Sequence, residues 1–264
     1  FESPDVGGVR LVKTYTLKRG DYVARVRHEV VNAGGEPVSP QLYVQLVRDG
    51  NPAPGGTSFY STFTGPAFYT DAKKFQKVEF ADIDKGKAEF VTQAPDGWVA
   101  MVQHYFASAW LLPPGMAHDN FARKLDNALY AAGMIAPMGA IAPGASQAVE
   151  TRLFIGPQDE KVLEGIAPGL ELVKDYGYFT ILAKPLYWLL DKLHGVLGNW
   201  GWAIVALVVL LKIAFYWLNA KAYASMAKMK SINPRIQEMR ERLKDSPQQM
   251  QQEMMRIYRE EKVN

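Results

Sequence analysis

The sequence predicts a multidomain membrane protein: an all-β sandwich, then an interfacial amphipathic helix, one transmembrane helix and an antiparallel helical hairpin. Three observations carry that prediction. Up to about Pro157, short runs alternate apolar and polar residues between Gly/Pro-rich turns, the period of half-buried strands. From Trp202 to Leu218 (WAIVALVVLLKIAFYWL) the chain is apolar with one full charge inside it, Lys212. About 17–25 apolar residues suffice for a helix to cross bilayer hydrocarbon. Beyond Leu218 the chain turns basic, and its apolar residues fall at helical spacing in two separate stripes.

Composition sets the bounds. With 264 residues, 48% of them hydrophobic, and a formal net charge of +3, the chain exceeds one small domain and has ample material for a core. Cysteine is absent, which excludes disulfides, thiolate nucleophiles and Cys-based metal sites. The chain opens on Phe1 without a signal peptide and stops inside a helical pattern, so a fragment of a longer protein is expected.

The β region is expected over residues 1–157. Val9–Leu17 and the run Tyr22, Ala24, Val26, His28, Val30 are separated by Lys18-Arg19-Gly20-Asp21, which predicts a hairpin. Leu42, Val44 and Leu46 repeat the alternation. So do Trp98, Ala100, Val102, His104 and Phe106, and later Val149, Thr151, Leu153 and Ile155. Turn signals stand between them: Asn32-Ala33-Gly34-Gly35, Gly50 to Gly56, Ala94-Pro95-Asp96-Gly97, Leu112-Pro113-Pro114-Gly115 and Ala142-Pro143-Gly144. Many strands without interleaved helices favour a sandwich over a parallel α/β sheet.

Residues 158–177 read as a linker with a short helix over Asp159–Gly165, broken by Ala167-Pro168-Gly169. Residues 178–199 are apolar but interrupted by Lys184, Pro185, Asp191, Lys192 and His194, so they do not span. Leu186, Leu189, Leu190, Leu193 and Leu197 share one helix face, and Tyr187 and Trp188 suit a headgroup zone. An amphipathic helix lying in the interface fits; an ordinary core-facing helix is the alternative. Gly198-Asn199-Trp200-Gly201 then turns the chain into the span, residues 200–218, whose Trp200, Trp202, Tyr216 and Trp217 form aromatic belts. Lysine within a span costs about 2.5–3.5 kcal/mol on insertion scales, so Lys212 either faces protein or water, or snorkels to the nearer interface.

Residues 219–264 carry the stripes Ile232, Ile236, Met239, Leu243 and Met250, Met254, Ile257, Tyr258. Lys244-Asp245-Ser246-Pro247 is a turn between them, with Ser246 as cap and Pro247 at the first helical position. A short turn makes the arms antiparallel neighbours. Pro234 predicts a bend or restart in the first arm. Lys221, Lys228, Lys230 and Arg235 follow the span, whereas Lys184 and Lys192 precede it beside Asp175 and Asp191. The positive-inside rule therefore puts the hairpin in the cytoplasm and the β region outside it.

Catalytic signals are weak. His28 and His104 lie on apolar strand faces without carboxylate or His partners at metal spacing, and read as structural. No phosphate-binding glycine loop is present, and no nucleophile–base arrangement is legible. Methionines are dense after the span: Met239, Met250 and Met254 fit the hairpin seam, while Met226 and Met229 are better placed to touch a greasy ligand.

Several of these residues fall in specific motifs. They are Gly198-Asn199-Trp200-Gly201, Tyr223-Ala224-Ser225-Met226-Ala227-Lys228-Met229, Pro234-Arg235-Ile236-Gln237 and Glu253-Met254-Met255. Upstream stand Lys18-Arg19-Gly20-Asp21-Tyr22, Gly97-Trp98-Val99-Ala100-Met101, Gln103-His104-Tyr105-Phe106-Ala107 and Asp175-Tyr176-Gly177. Over essentially its whole length the chain resembles the bacterial YidC (YidC/Oxa/Alb) family of membrane protein insertases.

The resemblance implies a mutarotase-like periplasmic super-sandwich, of which this chain holds the C-terminal part. It implies an interfacial helix that includes Trp188, Leu189 and Leu193, then the first of several core spans, then a cytoplasmic hairpin. It implies a hydrophilic groove with one basic residue, usually Arg, at the position of Lys212, and a Pro where Trp217 stands. A lysine keeps the charge but loses the planar fork of donors. The expected activity is insertion and folding of nascent membrane proteins in the inner membrane of a Gram-negative bacterium, with no bond made or broken, no cofactor, no metal and no nucleic acid substrate. Expected partners are the bilayer, the Sec translocon, the ribosome and the signal recognition particle receptor. The rival from another class is a membrane-anchored periplasmic domain that binds or converts sugars.

Overall fold

The computed structural model describes residues 1–51, 63–125, 128–174, 176, 179–243 and 247–260. The chain divides into two compact units, Phe1–Thr180 and Ile181–Asn264.

Eleven strands are described in the first unit. They are β1 (Val9–Thr16), β2 (Val23–Asn32), β3 (Gln41–Asp49), β4 (Gly65–Thr70), β5 (Lys74–Lys77), β6 (Gln93–Ala94), β7 (Trp98–Val102), β8 (Phe106–Leu111), β9 (His118–Lys124), β10 (Leu129–Pro137) and β11 (Ser146–Pro157). One sheet has the order β1-β2-β11-β8-β7-β4-β5 and the other β3-β10-β9-β6. Neighbouring strands pair antiparallel throughout. The expected first hairpin forms, with register Val9↔Asn32 through Thr16↔Arg25. Gly20 takes the left-handed conformation in its turn, φ 81°. The alternation on β2 and β3 is real: Val26, Val30, Leu42 and Val44 face the inter-sheet core with Phe68, Val99 and Met134.

Two strands depart from the sequence pattern. Trp98 to Val102 is buried at every position because the larger sheet is covered on both faces. Val99 points into the inter-sheet core, whereas Trp98, Ala100 and Val102 enter a second core on the opposite face. The expected continuation through His104 to Phe106 does not occur. The chain reverses there, Gln103 N donating to Phe106 O at 2.9 Å, and Phe106 begins β8. Ile155, read as an inward position of β11, is 58% exposed, while its neighbour Phe154 is fully buried in the second core.

Of residues 158–177, a linker in the sequence reading, the stretch 163–173 supplies much of that second core. Asp159 caps α2 (Glu160–Glu164) by accepting from Lys161 N. Leu163, Ala167 and, on a 3₁₀ turn (Leu170–Val173), Leu170 and Val173 are buried against the sheet. The join is tight around Tyr69, whose ring stacks on Trp98 at 5.5 Å. Trp98 Nε1 donates to Pro168 O at 3.0 Å. Gly97 (φ 110°) leaves no room for a side chain, because a Cβ there would lie 1.8 Å from Tyr69 O.

A helix α1 (Phe80–Asp84) is tied to the smaller sheet by polar contacts. Lys124 Nζ meets Asp84 at 2.9 Å and Tyr130 OH donates to Asp84 Oδ2 at 2.8 Å. The hydrogen bond from Lys124, then that from Tyr130, holds the Asp84 carboxyl below the usual range.

The second unit is helical: α3 (Thr180–Leu197), α4 (Trp200–Ala214), α5 (Tyr216–Arg242) and α6 (Pro247–Glu260). The apolar run Trp202–Leu218, expected as one helix, breaks at Phe215, and α4 and α5 meet at 65°. Neither Pro nor Gly stands at the break, which falls at Ala214, Phe215 and Tyr216. At about 1.5 Å per residue, α4 is roughly 22 Å long, short of the ~30 Å hydrocarbon thickness. Among the described residues no single helix is long and apolar enough to cross a membrane; α4 and α5 together pass by length and composition. The helix does not restart at Pro234, for α5 runs through it.

Candidate membrane-contact site

The candidate site lies in the helical unit and begins at a stop-and-start signal. Gly198 is left-handed, φ 64°, and its N–H bonds His194 O at 2.8 Å, closing α3. Asn199 opens α4, its Oδ1 accepting from Trp202 N at 3.2 Å. The His194 ring stacks on Trp200 at 3.8 Å. These local bonds account for the Gly-Asn-Trp-Gly motif without recourse to chemistry.

On α4 only Ala203 is buried. Trp202, Ile204, Val208, Val209 and Ile213 are exposed on different sides of the helix. An apolar helix left bare around most of its circumference is a surface for lipid or for other apolar helices. Lys212 is exposed and stands in the last turn of α4, because the break at Phe215 ends the helix just beyond it. A cation there complements the unpaired carbonyls of the helix C-terminus.

On α3 no residue is buried. Leu189 and Leu193 are half-covered along with Leu186 and Leu190, whereas Trp188 is 60% exposed, on the side that carries Ile181 and Lys192. Met226 and Met229, near the start of α5, are both exposed. The predicted residues are therefore not brought into one cleft. They are strung along an exposed apolar surface.

The hairpin, in contrast, closes on itself. Ile232, Ile236, Met239 and Ile257 form a buried cluster with Leu243, Met250, Met254 and Tyr258 packed against it, joining both predicted stripes. Arg235 meets Glu260 across the arms at 3.5 Å. The turn between the arms, with Ser246, lies outside the described residues.

His28, His118 and His104 make contacts within the β unit. His28 Nε2 lies 3.1 Å from Thr151 Oγ1, and burial, then the charge on Lys13, lowers its pKa to about 4. His118 is buried, its Nδ1 2.9 Å from Met116 O. His104 meets Tyr105 edge-on at 4.0 Å. Among the described residues no group of three His, Cys, Asp or Glu side chains is placed to hold a metal ion. Sequence reasoning missed the second core beneath Tyr69 and Trp98. The fully apolar run Trp98–Val102 was its available signal, since a strand buried on both faces loses its alternation.

A two-sheet β unit followed by an exposed apolar helix and a basic helical hairpin defines a class, the membrane-associated protein with an extramembrane β domain. Comparison with known proteins narrows it. Residues 1–189 match the family model for the YidC periplasmic domain, and residues 192–264 match the model described as 60Kd inner membrane protein. The chain belongs to the YidC family. It is 58% identical over its full length to proteins named membrane protein insertase YidC from Burkholderia vietnamiensis and Burkholderia multivorans, and 56% identical to that of Burkholderia pseudomallei. It spans about half the length of these relatives, 48%, 48% and 47% respectively. Among solved structures, an aldose 1-epimerase-type protein of Escherichia coli aligns with 57% of this chain and 61% of its own, at 14% identity and a TM-score of 0.35. A galactose mutarotase-like protein of Lactobacillus casei aligns with 56% and 63%, at 8% identity and a TM-score of 0.33. Likeness at that level carries nothing about activity.

Proposed function

We propose that this chain is part of a membrane protein insertase that helps newly made inner-membrane proteins to enter the bilayer and fold. The observation that carries the reading is α4: a bare apolar helix with one cation, Lys212, in its last turn, within a chain of the YidC family. A polar tail crossing dry hydrocarbon is costly. A cation beside a wet groove lowers that cost, while exposed apolar faces receive the substrate's own helix. Lys212 attracts acidic or polar portions of the tail. Met226 and Met229 offer deformable apolar contact near the mouth. The mechanism moves a chain between environments and makes or breaks no bond.

In this reading residues 1–157 are periplasmic and residues 219–264 cytoplasmic, as the lysines and arginines beyond the span dictate. Residues 200–218 enter the bilayer as a bent element, and residues 178–199 lie at the periplasmic interface, with Trp188, Leu189 and Leu193 against lipid. The ribosome, the signal recognition particle receptor and the Sec translocon are partners of the cytoplasmic and lateral faces. The sugar-converting alternative is not favoured, since the relatives are named insertases.

The test replaces Lys212 by Ala in the full-length protein and measures insertion of substrates with acidic and with neutral tails. Reduced insertion, strongest for acidic tails, is expected; full activity on both would overturn the role of Lys212. A deletion of residues 232–258 is expected to impair insertion while leaving the β unit folded. Wild-type insertion rates in that deletion would count against a role for the hairpin.

A further inference from the structure

The first half of α5 is a cationic surface without a counter-charge of its own. From Lys192 to Gln237 the sequence contains no Asp or Glu. Lys221 and Lys228 are seven residues apart, two helical turns, so they stand in line on one side of α5. Between them Ala224 and Ser225 carry only short side chains, and Leu218 adds an apolar one beside Lys221. One turn before Lys221, Trp217 is 70% exposed, and the Lys221 ammonium sits 5.5 Å from the centre of its ring. The bare apolar helix α4 leads directly into this segment.

Two lysines in line on one helix face, with no acidic residue near them in sequence, select an anion. The exposed Trp217 and Leu218 and the adjoining apolar helix select an anion that carries hydrocarbon, which sets aside free phosphate and nucleic acid. The exposed indole beside the first lysine suits the boundary between headgroups and acyl chains. We propose that Lys221 and Lys228 bind the headgroup of an anionic phospholipid, with Leu218 and Trp217 against its acyl chains. The assignment rests on the membrane reading above and adds to it a lipid preference. A lysine near an anionic surface contributes about 1 kcal/mol, roughly five-fold in relative affinity.

The test uses the full-length protein with a photo-crosslinking residue in place of Ala224, reconstituted in vesicles of equal parts phosphatidylglycerol and phosphatidylcholine. Captured lipid is identified by mass spectrometry, and association with the vesicles is checked by flotation. Capture of phosphatidylglycerol over phosphatidylcholine is expected, falling about five-fold for Lys221→Gln or Lys228→Gln and towards equality for the double variant. Lys221→Arg with Lys228→Arg is expected to retain the preference. Equal capture in the unsubstituted protein, a preference unchanged in the double Gln variant, or capture of protein in place of lipid would overturn the proposal. Failure to float with vesicles would remove the membrane reading itself, and the lipid site with it. Helicity by circular dichroism confirms that the Gln variants keep α5.

Discussion

The runs Trp98–Val102 and Trp200–Ala214 are both nearly free of polar side chains, yet they meet opposite fates. Every residue of the first is buried. In the second only Ala203 is buried. The difference is cover. The inter-sheet core lies on one face of β7, and Tyr69, Leu163, Leu170 and Phe154 lie on the other. Among the described residues of the helical unit, none covers more than Ala203 on α4. Its neighbour α5 spends its apolar residues on α6, where Ile232, Ile236 and Met239 meet Ile257. An apolar run thus says that water is to be avoided. It does not say whether protein or lipid does the excluding.

Substitutions break or sharpen this comparison. The largest effect is expected for Phe154→Ala, which opens a cavity in a fully buried site and costs about 3–5 kcal/mol. Urea unfolding of the β unit measures it. The paired substitution Val208→Ala, at a 45% exposed position of α4, is expected to shift that midpoint by nothing measurable. Equal destabilisation by the two would abolish the distinction between them. Next comes Gly97→Ala. The new methyl would meet Tyr69 O in a backbone conformation with φ 110°, so a loss of more than about 2 kcal/mol is expected. Thermal unfolding followed by tryptophan fluorescence checks it, since Trp98 stacks on Tyr69.

A smaller and more local loss is expected for Ile257→Ala, which empties the centre of the hairpin seam. A helix as short as α6 is marginal alone in water. Far-ultraviolet dichroism should therefore report lost helix while the β unit melts at its usual temperature. A lowered melting temperature for the β unit would show that the seam serves both units.

The smallest effect is a pH dependence. His28 takes up its proton only near pH 4 in the folded chain, against an ordinary value of 6.5. The unfolded chain binds more protons between those values, so its neutral form favours folding above about pH 6.5. That contribution is lost as pH falls from 6.5 towards 4. The ring is only partly buried, so the loss is discounted to about 1 kcal/mol, a few degrees in melting temperature. His28→Gln should flatten this part of the stability–pH curve. An unchanged slope would assign the dependence to other groups.

The hairpin seam and the start of α4 were legible because helix periodicity and capping are local. Ile232, Ile236, Met239 and Leu243 recur at three- and four-residue spacing, as do Met250, Met254, Ile257 and Tyr258, and the two stripes meet in the hairpin seam. Gly198 and Asn199 signal a stop and a start through their own backbone preferences. The break at Phe215 was not legible, since no Pro or Gly marks it. Hence the position of Lys212 within one turn of a helix end was hidden as well.

The sequence by itself determined the β-to-helix order, the first hairpin and the hairpin seam. Each depends on neighbours close along the chain or on a period that one strand or helix imposes. Only the tertiary structure decided which apolar runs are covered. It folded residues 163–173 onto the larger sheet, made β7 a strand with two buried faces, and left α4 bare with its cation at a bend. Burial is a property of what arrives from elsewhere in the chain, and pairings such as Trp98 with Pro168 join residues too far apart for any local pattern to announce.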